Sequence, residues 1–314
     1  MVQHLIGELF QTRADDDEAD SVYDSPPDRE SREAKMRDAA RMITEAAGAL
    51  KLAHAHPDLS MLFLHGPLVN PVAPYASIPN LTNRSIAELT GVASNGTGPD
   101  HHFILVYKGI LEALHDTNVP VAGIIERSGS RSLITQIVRD PSSRVSDAEK
   151  LDIENTLREY GINDSTLFEF ILEPGQYIEP VRIDKNLRAK APAEWMPIIE
   201  GYHQPSTTVL KSAQMSTPFR VEMWNDQDPE SCDRLLRLSY HNARLLPNYA
   251  FPVGLDIVDK YAKFPNWLSA QMSRELSAIV LRRAIETGNP ETVRRVRMLL
   301  ATPRRDWLFR PPAG

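Results

Sequence analysis

Leu59-Ser-Met-Leu-Phe-Leu64 is a nearly continuous apolar run, and His65-Gly66-Pro67 closes it. A short run of this kind predicts a strand covered on both faces, and the Gly-Pro pair predicts a turn. Val119-Pro-Val-Ala-Gly-Ile-Ile125 repeats the pattern further on. Between the two runs, residues 70–100 are rich in Pro, Asn, Gly and Thr and read as a long excursion with one short helix around Ile86. His102 to Leu114 carries apolar residues at helical spacing and predicts a helix. Upstream, Met36, Ala40, Ile43, Ala47 and Leu50 recur at the same spacing, so residues 32–55 read as one amphipathic helix that Pro57 and Asp58 end. Alternation of helix and apolar strand is the mark of an α/β sheet with parallel members.

The rest of the chain reads more loosely. Ser128-Gly-Ser-Arg131 turns into a helix through Ile134, Ile137 and Val138. Asp147 to Tyr160 predicts another helix. Phe168 to Leu172, Tyr177 to Ile183 and Pro218 to Met223 read as strands of a more antiparallel portion. Helices follow over 229–245, 253–262, 267–287 and 291–300. Residues 1–34 read as a leader. It holds a short apolar piece, Leu5 to Phe10, then the acidic run Asp15, Asp16, Asp17, Glu18 and Asp20, which reads as a solvated loop. The expected organisation is a leader over 1–34 and a single domain over 35–314.

Charge needs to be read by segment. The 314 residues carry 35 Lys and Arg against 42 Asp and Glu, a formal charge of −7. Taken whole, that argues against a sequence-blind nucleic-acid binder. Yet residues 1–34 hold ten acids against three arginines, which accounts for all of the excess. Residues 282–310 hold eight arginines against three acids. They read either as a solvated helix face or as an edge that meets phosphate or a partner. No apolar run approaches the roughly 20 residues of a membrane span. The N-terminus lacks the basic and apolar regions of a secretory signal. Cys232 is the sole cysteine, which excludes an intrachain disulfide and a cysteine-built zinc site. A reducing cytoplasm is the expected compartment.

No phosphate-cradling glycine loop, dinucleotide fingerprint, zinc-protease helix or serine-hydrolase elbow is present. Three constellations remain. His65-Gly66-Pro67-Leu68 ends the first buried strand, where open α/β sheets place ligands, although a plain turn with a surface histidine also fits. Glu45 lies on the preceding helix near its apolar stripe, and an edge position on the surface is the ordinary alternative. Arg127, Ser128, Ser130 and Arg131 surround a helix start, which suits phosphate held by backbone N–H groups and equally an ordinary helix cap. The histidines His54, His56, His65, His101 and His102 lack carboxylates at ligand spacing, so a metal site built on them is the lesser reading.

The order of these pieces resembles the NurA nuclease family. The resemblance rests on the Glu45 helix, Leu64-His-Gly-Pro-Leu68, Tyr107-Lys-Gly-Ile-Leu-Glu-Ala-Leu114, Val119 to Ile125, Pro218-Phe-Arg-Val-Glu222 and Phe251-Pro-Val-Gly-Leu255. It covers about residues 35 to 285. It implies an RNase H-like mixed sheet flanked by helices, with extra C-terminal helices. It also implies DNA as substrate, a HerA-like hexameric ATPase as partner, a homodimer, and metal-dependent phosphodiester cleavage in DNA end processing. Mn²⁺ or Mg²⁺ clamping the attacking and leaving oxygens calls for carboxylates. Carried over residue by residue, the family's helix glutamate is Glu45, which the resemblance makes a metal ligand. The second Asp-Gly turn is His65-Gly66. The late Tyr-Pro is Phe251-Pro252, without the hydroxyl, and the histidine position falls on Asp259. The early Asp-Gly-Ser has no match, and the leader offers only Leu5 to Phe10 and the acidic run in its place. The expected protein is a NurA-like nuclease of weak or impaired activity, or an inactive scaffold of that fold which docks on DNA or a motor.

Overall fold

The structure is a computed structural model that describes residues 26–91, 101–126, 129–139, 145–183, 192–214, 216–246, 249–262 and 266–301. It falls into two compact units, one running to Lys260 and the other from Tyr261 onward. The first is a mixed α/β sheet with helices on both faces. Its elements in order are α1 (Pro26–Ala55), β1 (Leu62–His65), α2 (Asn83–Thr90), α3 (Phe103–His115), β2 (Val121–Ile125), α4 (Ser132–Arg139), α5 (Asp147–Glu159), α6 (Asp164–Ile171), β3 (Val181–Arg182), α7 (Met196–Glu200), β4 (Pro205–Leu210), β5 (Phe219–Trp224), α8 (Pro229–Ala243) and α9 (Val253–Ala262). The second unit holds α10 (Asn266–Glu286) and α11 (Pro290–Ala301), which pack on each other. The expected mixed sheet with flanking and C-terminal helices is therefore present. Among the described residues no helix is long and apolar enough to cross a membrane.

The strand order is β1-β2-β5-β4-β3. β1 and β2 are parallel, as the two apolar runs predicted, and β5, β4 and β3 add antiparallel pairs. Alternation along the strands sorts the core. Leu62, Val121 and Trp224 join the layer of α1 and α3, built from Ile43, Ala46, Ala47, Leu50, Phe103, Ile110 and Leu114. Ala122, Ile124, Val221 and Met223 face the other way, onto Leu235 and Leu236 of α8 and onto Phe251 and Leu255. Val209 belongs with Leu133, Ile134, Leu157 and Phe168 of α4, α5 and α6.

Three expectations are corrected. Phe168 to Leu172 is not a strand but the end of α6, whose start is fixed by the Asn163 side chain accepting from the Thr166 N–H at 2.9 Å. A short apolar run suits either structure, and here the cap decides. α1 begins at Pro26, inside the stretch read as leader. Prolines suit a first helical turn, where their missing N–H has no partner to lose. β4, Pro-Ser-Thr-Thr-Val-Leu, went unread because half of it is hydroxyl residues, yet all six residues are buried. Two of its hydroxyls find partners, Ser206 with the Asn225 side chain at 2.8 Å and Thr208 with the Ile178 carbonyl, while the buried Thr207 hydroxyl has none among the described residues. The strand read over Tyr177 to Ile183 is shorter in the structure, with an isolated bridge at Tyr177 and β3 itself. Leu5 to Phe10 and the acidic run lie outside the described residues.

Candidate functional site

The site is built where β1 ends. Gly66 leaves the strand at φ +131, a backbone that favours glycine, and its N–H still donates to the Ile124 carbonyl at 2.8 Å. The chain then folds back across β2. It passes so close to Gly123 that a Cβ there would lie 2.2 Å from the Leu68 nitrogen and 2.7 Å from the Gly66 carbonyl oxygen. The glycine in Val-Ala-Gly-Ile-Ile is thus required by the turn after β1. The turn is held from the next strand. Glu222, opposite Gly123 in the β2–β5 register, accepts from the Leu68 N–H at 3.1 Å and is fully buried. Sequence reasoning quoted Glu222 as part of a motif and gave it no role. The available signal is a single acid inside the apolar strand Phe-Arg-Val-Glu-Met-Trp.

His65 stands at this edge, exposed. The Phe251 ring meets it edge-on at 5.7 Å between centroids. Phe251 is itself buried and packs edge-on against Phe219 at 5.9 Å. From the other layer comes Glu45 on α1, about half exposed. Arg41, one turn earlier, lies 3.7 Å from its carboxylate. Partial burial pushes the Glu45 carboxyl above the ordinary range, and the positive charges of Arg41 and His65 pull against that shift. Behind them is the Tyr107 hydroxyl, which accepts from the Asn70 side-chain amide at 3.2 Å. Burial pushes the phenol up, the Asn70 hydrogen bonds lower it, and the carboxylates of Glu45 and Glu222 raise it further. One phenol therefore feels both acids.

The structure brings Glu45, His65 and Phe251 to one edge. Asp259 is half-buried on α9, well past Pro252. A hydroxyl does stand near Phe251. Tyr249, two residues earlier, donates to Asp256 of α9, and this hydrogen bond, with burial and the charges of Asp256 and Glu126, pushes its phenol up to about 12. The intervening Ala250 has φ +62 and its carbonyl accepts from the Ser212 hydroxyl at 2.8 Å.

The helix start near Arg127 differs from a free phosphate cradle. Arg127 and Ser128 lie outside the described residues. The Leu133 and Ile134 N–H groups of α4 donate to the Asp164 carboxylate at 3.2 and 3.0 Å. Arg220 completes that buried cluster at 2.6 Å from Asp164. Ser130 accepts from the Ser132 N–H at 3.0 Å, and Arg131 donates to the Ile162 carbonyl at 2.9 Å. These amides are filled by the protein's own carboxylate. The histidine pair resolves likewise. His102 caps α3, accepting from the Ile104 N–H at 3.3 Å, with its other nitrogen 3.2 Å from the Ile78 carbonyl and its ring 4.3 Å from Trp195. Among the described residues no group of three or more His, Cys, Asp or Glu side chains is placed to hold a metal ion. Glu45 and His65 supply two donors of different type, which does not meet the demand of Mg²⁺ or Mn²⁺ for several oxygens.

The profile of the NurA domain family matches residues 2–264 of the chain. Among solved structures, the NurA nuclease from Sulfolobus solfataricus is similar at 12% identity and a TM-score of 0.45, over 79% of this chain and 68% of that one. A comparison with curated proteins gives no match.

Proposed function

The chain belongs to the NurA domain family, and from that premise we propose that it acts on DNA ends as a nuclease of impaired activity beside a HerA-type ATPase. The observation that carries this reading is the packing of α1 on β1, which puts Glu45 within electrostatic reach of His65 at the strand end. In this reading Glu45, about half exposed and with the charges of Arg41 and His65 opposing the upward shift of its carboxyl, is the general base or ligand that faces the scissile phosphate. His65 offers a donor to a phosphate oxygen. Phe251 fixes the imidazole plane, and Asp259 supplies negative charge on the neighbouring helix. Two donors stabilise less developing charge than a full carboxylate cluster, so the rate is low. A homodimer is part of the same proposal.

The test is degradation of linear duplex DNA by purified protein with MnCl2, beside Glu45→Ala and His65→Ala. Slow degradation that either substitution abolishes is expected. Degradation undiminished in Glu45→Ala removes Glu45 from the site. A second reading, an inactive scaffold that docks on DNA or on a motor, is favoured by the missing third ligand among the described residues. Calorimetry separates the two. Heat of Mn²⁺ binding that Glu45→Ala removes supports the enzyme, and no heat with no cleavage supports the scaffold.

A further inference from the structure

Beyond the NurA match the chain continues into α10 and α11. Gly288, at φ +66, ends the first helix. The Asn289 side chain opens the second by accepting from the Glu291 N–H at 2.9 Å. Ser277, Leu281 and Ala284 of α10 and Thr292, Val293 and Val296 of α11 are the less exposed positions, at the spacing of one helix face each. The cations lie elsewhere. Arg282 and Arg283 are exposed near the end of α10, and Arg294 and Arg297 are exposed one turn apart on α11. Among the described residues the side chains of these four make no hydrogen bond or ion pair. No lysine follows Lys263, so all positive side-chain charge of the hairpin is guanidinium.

Several helix arginines of this protein pair with an acid one turn away, although Arg37 on α1 and Arg158 on α5 are exposed without an ion pair among the described residues. On α8, Arg234 meets Glu230 at 3.1 Å and Arg237 meets Asp233 at 2.6 Å. On α2, Arg84 meets Glu88 at 2.8 Å, and on α1 Arg41 meets Glu45. The helix dipole accounts for Arg282 and Arg283, which sit at a C-terminus. It does not account for Arg294, which lies in the N-terminal half of α11, where the dipole gives a cation no gain. Like charges one turn apart repel. Arg294 and Arg297 therefore carry a cost in the free protein that an external polyanion relieves. Guanidinium, a planar fork of donors, matches two phosphate oxygens at once.

We propose that the α10–α11 hairpin is a second nucleic-acid contact, outside the NurA match, that grips phosphates without reading sequence through Arg282, Arg283, Arg294 and Arg297. The proposal rests on the functional reading above only for the choice of DNA as the polyanion. Binding is measured on the full chain in EDTA, so that no cleavage intrudes, by fluorescence anisotropy of a labelled duplex across a series of KCl concentrations. Each phosphate contact contributes about 0.9 to the slope of log affinity against log salt. Arg294→Gln with Arg297→Gln is expected to flatten the slope by about 1.8. The loss should be equal on duplexes of unrelated sequence. Arg234→Gln with Arg237→Gln, the same spacing on α8 but with acid-paired arginines, should leave the slope unchanged. Arg294→Lys with Arg297→Lys keeps the charge and should keep the slope, which separates lost contact from lost folding. An unchanged slope in the α11 glutamine pair overturns the proposal. So does an equal loss in the α8 pair, because net charge alone would then explain it. A chain that never cleaves DNA still gives this answer, so the two readings fail separately.

Discussion

Gly123→Ala tests the geometry that builds the site. The added Cβ would lie 2.2 Å from the Leu68 nitrogen, 2.7 Å from the Gly66 oxygen and 2.8 Å from the Pro67 carbonyl carbon. Heavy atoms in ordinary contact stand roughly 3.5 Å apart, so the turn must lift by about 1 Å. The obstructing atoms are backbone, which cannot swing aside as a side chain can. The Leu68 N–H to Glu222 bond, now 3.1 Å, would stretch past hydrogen-bond range. A buried donor and carboxylate left apart cost about 1–3 kcal/mol, and overpacking costs about 1–3 kcal/mol more. At about 2–4 °C per kcal/mol for a unit of this size, the melting temperature should fall by about 10 °C. Thermal unfolding followed by far-UV circular dichroism reads this directly. Gly48→Ala is the comparison. Gly48 is exposed on α1 with nothing within 4 Å of its would-be Cβ, so helix propensity alone acts and stability should rise by about 0.5–1 kcal/mol. If Gly123→Ala melts at or above the parent temperature, the turn does not lie on the sheet as described, and the clamp by Glu222 falls with it.

Three more outcomes are expected. Ala250→Gly relieves a left-handed alanine at φ +62 and should stabilise by about 0.5–1 kcal/mol in denaturant titration; an unchanged or lower stability means the strain is not there. At the far end of the sheet, burial pulls the His115 imidazole down, but hydrogen bonds to Asp226 and Asp116 with their charges outweigh it, and the net shift is upward. Its contribution to stability is therefore complete below the unfolded value of about 6.5 and is lost as pH rises through the folded value. Asp226→Asn should lower the His115 midpoint in an NMR titration and destabilise most at acidic pH, whereas an unmoved midpoint rules out the pairing. Arg41→Gln removes one of the charges opposing the upward shift of Glu45. The Glu45 carboxyl should then stay protonated to higher pH, moving the acid limb of any DNA cleavage upward, and a limb that does not move shows that Glu45 does not set it.

The parallel pair at the site was legible because nothing local opposed it. β1 and β2 are apolar runs bounded by breakers, and α1 shows its helical period through small residues such as Ala46 and Ala47. They put Glu45 on a helix and His65 at the end of the following strand, and no more than that. β4 was not legible, because Thr207 and Thr208 are buried by tertiary covering that periodicity cannot register. Glu222 and Gly123 were visible as residues but not as a pair. Their connection is a register between strands far apart in sequence, and no local spacing encodes it. Nothing local marks Tyr249 as a partner of Asp256, and the left-handed Ala250 beside it has no signature in an alanine.

The two arginine groups show what separates a phosphate site from its imitation. A helix start rich in Ser and Arg fits phosphate and carboxylate alike, since both answer N–H donors and a positive dipole end. Around α4 the protein supplies the anion itself. Asp164 arrives from the start of α6, takes two amides and Arg220, and is buried with them. An internal carboxylate is always present at high effective concentration, so a site it fills is closed to a ligand that must first displace it. On α11 no ion pair is formed by Arg294 or Arg297 among the described residues. Composition ranks the two regions alike, but an arginine that an internal carboxylate does not already hold is the better placed to meet a polyanion.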